Sequence, residues 1–239
     1  MNILSLFPDS WKERLRLRAG AVTLSGRLQN LRRAGFSPAR IIDAGAYRGD
    51  WTRTARAIFP SASILMIEPQ PQLAAGLRRL CAGRPGLSFR PSALGATTEK
   101  IQFLLEETNS RILAGRTGAA APGRVCELET ELLSAVAEQE GFGACDLLKL
   151  DLQGHELPAL AGAGAMFGQV EVIITEASFL PIGVTVLVPE VMEVFHRHGY
   201  QLYDIFGFNY RPRDGALWQA DLVFARKNSA LLAEQHRWL

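Results

Sequence analysis

The 239-residue sequence has few cysteines and no long apolar run. Its three cysteines, Cys81, Cys126 and Cys145, are an odd number and lack the paired spacing of a disulfide framework or a zinc site. We therefore predict a cytoplasmic protein without a bound metal. No stretch approaches the ~20 apolar residues of a transmembrane helix, so no transmembrane segment is expected.

The sequence also lacks a strong excess of charge, with a formal net charge of +2 at pH 7. This argues against nucleic-acid binding. The charge is uneven, because residues 1–35 carry seven Lys/Arg and two Asp/Glu. We predict that residues 1–35 form a basic helical extension and residues 36–239 the main domain. The basic face is interpreted as solvated; the alternatives are a lid over an acidic substrate, a homodimer contact, and contact with anionic lipid at a membrane surface.

Phosphate-binding motifs are absent as well. A G-x-G-x-x-G pattern starting at Gly45 would place its second and third glycines at Tyr47 and Asp50. Tyr47 hinders close backbone approach to a pyrophosphate, and Asp50 puts a negative charge at a helix N-terminus, so NAD and FAD are disfavoured. The sequence contains neither a P-loop pattern nor Gly-x-Ser-x-Gly, which leaves P-loop and hydrolase chemistry without support.

Strand-like and helix-like segments alternate from residue 40 onward. LSFRPSALG is predicted to be a strand that runs into a turn, and ETELLSAVAEQEG and ELPALAGAGAMF are predicted to be helices. This alternation predicts an α/β fold, with a mostly parallel sheet and helices on both faces. The segments YQLYDIFGFNY and WQADLVFARK have only a loop between them, which predicts a C-terminal antiparallel hairpin.

Polar residues follow three of the predicted strands, at the sheet edge where such folds bind ligands. Asp43 and Asp50 suit an ammonium group, and Glu68 suits the two hydroxyls of a ribose. A later buried strand leads into Asp151 and the residues that follow it. A ligand with an amino-acid end, a ribose and no phosphate fits this set, which favours S-adenosylmethionine.

These segments resemble S-adenosylmethionine-dependent methyltransferases of the FkbM type. IIDAGAYRGDWT, MIEPQPQ and PSALG are similar to the family's first three motifs, although Tyr47 stands where the family usually has Asn. DLLKLDLQGHELPALAGA is similar to its strongest signature, K-[IL]-D-x-x-G-x-E. The resemblance covers about residues 40–226. It implies a Rossmann-like class I methyltransferase sheet, and it implies methylation of hydroxyl groups, often on sugars, glycolipids or secondary metabolites.

The predicted cofactor-binding residues come from the first three motifs. They are Asp43, Gly45, Ala46, Gly49, Asp50, Glu68, Pro69, Ser92 and Leu94. The predicted acceptor-binding residues, Asn109, Ser110 and Arg111, offer hydrogen bonds to a polyhydroxyl molecule.

The catalytic candidates are Lys149, Asp151, His155 and Glu176. His155 titrates near neutrality and suits a general base. Lys149 and Asp151 point to the same side of a strand and equally fit a buried ion pair. Glu156 is interpreted as capping the helix that it begins.

We therefore predict an S-adenosylmethionine-dependent O-methyltransferase that acts on a small hydroxylated acceptor. One alternative is a nicotinamide-dependent oxidoreductase on a similar sheet, which Tyr47 and Asp50 disfavour. Another is a binding module that holds the cofactor without catalysis, for which Tyr47 is the only support in the sequence.

Overall fold

The computed structural model describes residues 23–106, 110–113, 124–183 and 186–233. The helices are α1 Leu24–Arg33, α2 Asp50–Ile58, α3 Pro71–Cys81, α4 Leu133–Gln139, α5 Glu156–Ala161 and α6 Val188–Arg197. The strands are β1 Arg40–Ala44, β2 Ser63–Ile67, β3 Leu87–Arg90, β4 Ala93–Gly95, β5 Lys100–Leu105, β6 Arg111–Ile112, β7 Arg124–Leu132, β8 Leu147–Leu150, β9 Val172–Ser178, β10 Tyr200–Tyr210 and β11 Leu217–Arg226. Two 3₁₀ helices span Gly164–Gln169 and Ala230–Leu232.

Seven strands form the main sheet, in the order β10-β11-β9-β8-β1-β2-β3. Neighbouring strands pair in parallel except at β11, which is antiparallel to both β9 and β10. The mostly parallel sheet and its C-terminal hairpin are thus confirmed. Strand β11, the second strand of the hairpin, inserts between β9 and β10. The strand order reverses direction between β1 and β8, and such a switch point opens a crevice at the strand ends.

Both faces of the main sheet are apolar, because successive residues of a buried strand point to opposite sides. Ile41 and Leu147 join the core under α1 and α2, whereas Ile42 and Leu148 join the core under α4, α5 and α6. Helices therefore cover both faces, as predicted. Among the described residues, none of the helices has the length and apolar character needed to cross a bilayer.

Helix α1 lies within the predicted N-terminal extension yet packs against the main sheet. Its Leu28 and Leu31 are buried, and burial of each leucine contributes roughly 1.5–3 kcal/mol. Arg27 forms an ion pair with Asp204 of β10 at 3.0 Å. Helix α1 therefore packs on the main domain, as a capping helix would, and residues 1–22 of the predicted extension lie outside the described part of the chain.

A second sheet, β4-β7-β5-β6, was not expected from the sequence; we call it the side sheet. The strand and turn predicted for LSFRPSALG are present, but after the turn the chain leaves the main sheet and enters the side sheet at β4, a short strand that was not predicted. The helix predicted for ETELLSAVAEQEG begins only at Leu133. The residues before it belong to β7, where glutamates alternate with other residues at the period of a strand.

The helix predicted for ELPALAGAGAMF ends at Ala161, because Gly162 meets the side sheet there. A Cβ at Gly162 would overlap with the Gly95 carbonyl oxygen of β4. The Gly162 carbonyl accepts hydrogen bonds from the Ser134 N–H at 3.2 Å and the Ser134 hydroxyl at 2.9 Å. Three elements therefore meet backbone to backbone at this glycine, which positions the side sheet.

We expect Gly162→Ala to lower the free energy of unfolding by roughly 1–3 kcal/mol, the range for overpacking a close contact. Urea unfolding checks this. Gly168→Ala is the matched control, because a Cβ there would meet nothing within 4 Å. Equal unfolding midpoints for the two variants would contradict the claim that this contact is tight.

Candidate active site

A cleft opens at the carboxyl ends of β1, β2 and β8, beside the switch point of the main sheet. It holds about 760 Å³ of empty space, solvent at its mouth included. The loops after these three strands form one part of its wall. Phe103, Ser110 and Ile112 bring the side sheet to the cleft as well.

Eight of the residues predicted from the sequence line this cleft. They are Gly45, Glu68, Pro69, Ser92, Leu94, Ser110, Asp151 and His155. The predicted cofactor residues Asp43, Ala46, Gly49 and Asp50 do not line it, and neither do Lys149, Glu176 and Arg111. Asn109 lies outside the described residues.

Glu68 is held at the end of β2 by two backbone N–H groups. The Tyr47 N–H donates to Oε2 at 2.8 Å, and the Gln70 N–H donates to Oε1 at 3.0 Å. Burial raises the pKa of the Glu68 carboxyl, and these hydrogen bonds oppose the rise. The carboxylate therefore ties the turn after β1 to the loop after β2, and the Gln70 side chain also hydrogen-bonds to it.

Asp43 is fully buried beneath the cleft instead of facing into it. Its Oδ2 accepts a hydrogen bond from the Thr52 hydroxyl at 2.6 Å, and its Oδ1 lies 3.2 Å from the Lys149 ammonium. Lys149 also donates to the Gly45 carbonyl at 2.8 Å and lies 3.5 Å from Asp151. The contact expected between Lys149 and Asp151 is present, but Asp151 is partly exposed, and the fully buried partner of Lys149 is Asp43, which the sequence did not indicate.

Lys149 is poorly suited to act as a base. Burial acts to lower the pKa of its ammonium, but the Asp43 and Asp151 carboxylates outweigh burial and raise the pKa above its ordinary value. The side chain therefore stays protonated and serves as a fixed cation between β1 and β8.

The glycines after β1 are required by packing against protein atoms. A Cβ at Gly45 would overlap with the Asp151 carbonyl oxygen, and one at Gly49 would lie 2.6 Å from Leu80. Both glycines have positive φ, 78° and 79°. The sequence suggested that these glycines leave room for a ligand, but the structure shows that they allow close contact between neighbouring parts of the protein.

Asp50 and Ala46 also lie away from the cleft. The Asp50 side chain is 80% exposed and pairs with Arg53 at 2.7 Å on the surface of α2. Ala46 packs with Met66 and Leu77. Of the carboxylates after β1 and β8, Asp151 is the one that lines the cleft.

The side sheet contributes residues that the sequence analysis missed. Phe103 and Ile112 add apolar surface beside Leu94. The Ser110 hydroxyl donates to the Gln70 side chain at 3.0 Å and accepts from the Glu106 N–H at 2.8 Å. The apolar alternation in KIQFLLEE signalled a strand, but nothing local indicated that this strand would reach the cleft.

His155 lies at the end of the turn that follows β8. Burial lowers the pKa of its imidazole, against the attraction of Glu99, which raises it. The neutral ring is therefore favoured at neutral pH, and a neutral imidazole can accept a proton.

Glu156 holds the turn that carries Asp151 and His155. Its Oε1 accepts hydrogen bonds from the Leu152 N–H at 2.8 Å and the Gly154 N–H at 3.2 Å. The interpretation of Glu156 as a helix cap is wrong, because its side chain bonds the turn before α5 and the helix has no side-chain cap hydrogen bond. Burial raises the pKa of Glu156 to about 7.

Glu176 lies at a second, smaller cavity of about 240 Å³ next to the cleft, and Gln153 lines both spaces. Burial, together with the Asp151 and Asp221 carboxylates, raises the pKa of Glu176 to about 8. In the described part of the chain, no group of three or more His, Cys, Asp or Glu is arranged to hold a metal ion.

The strand order and the cleft at its switch point are those of a class I S-adenosylmethionine-dependent methyltransferase. Residues 43–202 match the family model of the methyltransferase FkbM domain, so the chain belongs to this family of S-adenosylmethionine-dependent methyltransferases. The resemblance stated from the motifs is thereby confirmed. No curated protein sequence matches the chain.

Three solved structures show a distant similarity. Precorrin-6y C5,15-methyltransferase from Geobacter metallireducens is 10% identical, with a TM-score of 0.46 over 85% of this chain and 86% of that chain. The 1,6-didemethyltoxoflavin-N1-methyltransferase from Burkholderia thailandensis, which has S-adenosylhomocysteine bound, is 15% identical, with a TM-score of 0.47 over 92% of this chain and 82% of that chain. An O-methyltransferase family protein from Burkholderia thailandensis is 13% identical, with a TM-score of 0.48 over 89% of this chain and 56% of that chain. The family assignment rests on the domain match.

We expect Glu156→Gln to reduce the loss of stability at alkaline pH. The raised pKa means that the native state binds this proton more tightly than the unfolded state does, so the contribution falls as pH rises through about 7. Between about pH 5.5 and about pH 8.5 the wild type should lose about 2 kcal/mol through this group. The amide oxygen can still accept both N–H groups, so the variant should not show this loss.

Urea unfolding at both pH values measures the effect. Glu193→Gln is the control, because that carboxylate is exposed on α6. A Glu156→Gln variant with the same pH dependence as the wild type would show that the buried carboxyl is not responsible.

Proposed function

We propose that the protein transfers a methyl group from S-adenosylmethionine to a hydroxyl group of a small molecule, such as a sugar, glycoside or secondary metabolite. The observation that carries this proposal is a half-buried His155 with a lowered pKa in the same cleft as Glu68. The first residue suits removal of a hydroxyl proton, and the second suits recognition of a ribose.

The residues of the cleft fit the cofactor. Glu68 lines the cleft and its carboxylate can accept a hydrogen bond from a ribose hydroxyl, and Leu94, Phe103 and Ile112 offer an apolar surface for the base. Asp151 lies in the cleft beside Gly45, where a carboxylate suits the ammonium of the amino-acid end. Asp151 therefore takes the role that the sequence analysis gave to Asp43 and Asp50.

Methyl transfer to a hydroxyl requires alignment of the oxygen and removal of its proton. The bound cofactor supplies a methyl group activated by its sulfonium. With the cofactor held by residues such as Glu68 and Asp151, His155 would take the proton of the acceptor hydroxyl. Alignment contributes about 7–11 kcal/mol, and a general base contributes about 10²–10⁴-fold in rate.

The nicotinamide alternative remains disfavoured, and a backbone hydrogen bond now supports this. The Tyr47 N–H, in the turn where a pyrophosphate would need free N–H groups, is hydrogen-bonded to Glu68. The alternative of a binding module without catalysis is tested by the transfer experiment below.

A cytoplasmic location is also proposed, on the basis of the cysteines. Cys81, Cys126 and Cys145 are all free thiols, as expected in a reducing compartment. Homodimer or membrane contact through the basic segment stays a prediction, since most of its charges lie in residues 1–22.

We expect Glu68→Ala to weaken binding of S-adenosylhomocysteine by about 10–100-fold, because hydrogen bonds to a charged acceptor are lost. Isothermal titration calorimetry measures the affinity. Glu129→Ala, at an exposed carboxylate of β7, should bind like the wild type. Equal affinity of the two variants would remove Glu68 from the cofactor site, and no binding to the wild type would remove the proposed function.

We expect His155→Ala to lower kcat about 10²–10⁴-fold with S-adenosylmethionine and an active acceptor. A panel of glycosides and phenols identifies the acceptor through formation of S-adenosylhomocysteine. The wild-type rate should rise with pH as the imidazole loses its proton, and the rate of the variant should not show this rise. His196→Ala, on the exposed side of α6, is the control.

An unchanged rate and pH profile in His155→Ala would assign the base elsewhere. Cofactor binding without transfer to any acceptor of the panel would favour the non-catalytic alternative.

A further inference from the structure

Gln70 lies between two prolines, where the loop after β2 enters α3. The residue before a proline is restricted to extended backbone, and Gln70 has φ −67° and ψ 113° ahead of Pro71. Gln70 occupies the N-cap position of α3, yet its side chain makes no capping hydrogen bond. The residue is buried and lines the cofactor cleft. A stiff segment of backbone therefore places this amide at the cleft, where it is not used to cap the helix.

Both ends of the Gln70 amide have hydrogen-bond partners. The Gln70 side chain hydrogen-bonds to the Glu68 carboxylate. Because an ionised carboxylate only accepts hydrogen bonds, the NH₂ group of the amide is the end that faces Glu68. The Oε1 atom at the other end accepts from Gln72 Nε2 at 2.9 Å and from the Ser110 hydroxyl at 3.0 Å. These partners together favour one of the two orientations of the amide.

The Ser110 hydroxyl is itself held by the side sheet. Its oxygen accepts the Glu106 N–H at 2.8 Å across the connection between β5 and β6, and its proton goes to Gln70. Ser110 is buried and lines the cleft as well. A chain of hydrogen bonds therefore runs from the side sheet through Gln70 to Glu68.

Gln70 contacts the Glu68 carboxylate twice. The backbone N–H of Gln70 donates to Oε1 at 3.0 Å, and the side-chain amide is the second donor. Burial raises the pKa of Glu68, and both contacts with Gln70 oppose the rise, as do the Tyr47 N–H and the attraction of Lys149. Gln70 therefore restricts the carboxylate and favours its ionised form, whose oxygens accept hydrogen bonds from hydroxyl groups.

We propose that Gln70 is a positioning residue for cofactor binding: it holds the Glu68 carboxylate in the orientation that accepts the ribose hydroxyls, and Ser110 of the side sheet holds Gln70 in turn. The inference rests on the proposed function, which assigns recognition of the ribose to Glu68. It adds that the side sheet contributes to cofactor affinity through a chain of hydrogen bonds, besides the apolar surface of Phe103 and Ile112.

Isothermal titration calorimetry with two ligands tests the inference. The ligands are S-adenosylhomocysteine and its 2′,3′-dideoxy analogue, which lacks both ribose hydroxyls. The wild type should bind the analogue at least about tenfold more weakly, because hydrogen bonds to a charged acceptor are lost. Gln70→Leu should weaken S-adenosylhomocysteine by about tenfold and leave the analogue within about twofold of its wild-type affinity. A change in packing alone would weaken both ligands alike.

Gln201→Leu is the matched control, because it makes the same replacement at an exposed position of β10. It should leave both affinities unchanged. Ser110→Ala should also weaken S-adenosylhomocysteine selectively, but less than Gln70→Leu does, because it removes one of the two donors to Gln70 Oε1. If Gln70→Leu does not fold, Ser110→Ala supports the same comparison of the two ligands.

Two double variants show whether these residues act through one another. Groups in one hydrogen-bond network are not additive. Ser110→Ala should therefore have no further effect on S-adenosylhomocysteine affinity when Gln70→Leu is already present. Gln70→Leu should likewise have no further effect when Glu68→Ala is present.

The inference is overturned if Gln70→Leu weakens both ligands equally or weakens neither. It is also overturned if the effects of Gln70→Leu and Glu68→Ala add, because Gln70 would then act independently of Glu68. In each case a weakening of S-adenosylhomocysteine by Glu68→Ala alone would leave the proposed function standing. An unchanged affinity in Glu68→Ala would instead remove Glu68 from the cofactor site, and no binding by the wild type would contradict the proposed function.

Discussion

The buried ammonium of Lys149 is the interaction on which the active site depends. It donates to the Gly45 carbonyl, pairs with Asp43 beneath the cleft, and lies 3.5 Å from Asp151 at its edge. One side chain thereby fixes the turn after β1 against the turn after β8. A buried charge is costly unless it is paired, so these loops can approach only in a register that brings the cation and carboxylates together. The glycine at position 45 makes that approach sterically feasible.

The parts of the site that sequence could predict are those set by sheet topology. Parallel strands bring their carboxyl ends to one edge, so Glu68 after β2 and Asp151 after β8 were expected to meet, and both line the cleft. The position of His155 in the cleft could be predicted too, because His155 lies on the same short turn as Asp151. The pattern of strands and helices contains this information locally, without any knowledge of which side chains touch.

The parts that sequence could not predict depend on pairings distant in the chain. Asp43 and Asp50 are equally plausible partners for an ammonium as residue types, yet one is buried against Lys149 and the other faces solvent beside Arg53. The side sheet depends on β5 and β7, which pair antiparallel across residues 106–123. The alternating glutamates of β7 indicated a strand, but no short segment indicated that the side sheet would reach the cleft.

The two sides of the active site also differ in how they are built. The cofactor side consists of strand-end motifs, each contained in a few consecutive residues, which is why a family resemblance can be recognised there. The neighbouring end of the sheet, where Glu176 and Gln219 lie, is assembled from β9 and β11, which are neighbours only because the last strand inserts beside β9 in antiparallel register. A change of one residue in that register would turn Gln219 and Asp221 to the opposite face. Contacts between β9 and β11 therefore depend on this distant register, whereas the motifs after β1, β2 and β8 depend on short local segments.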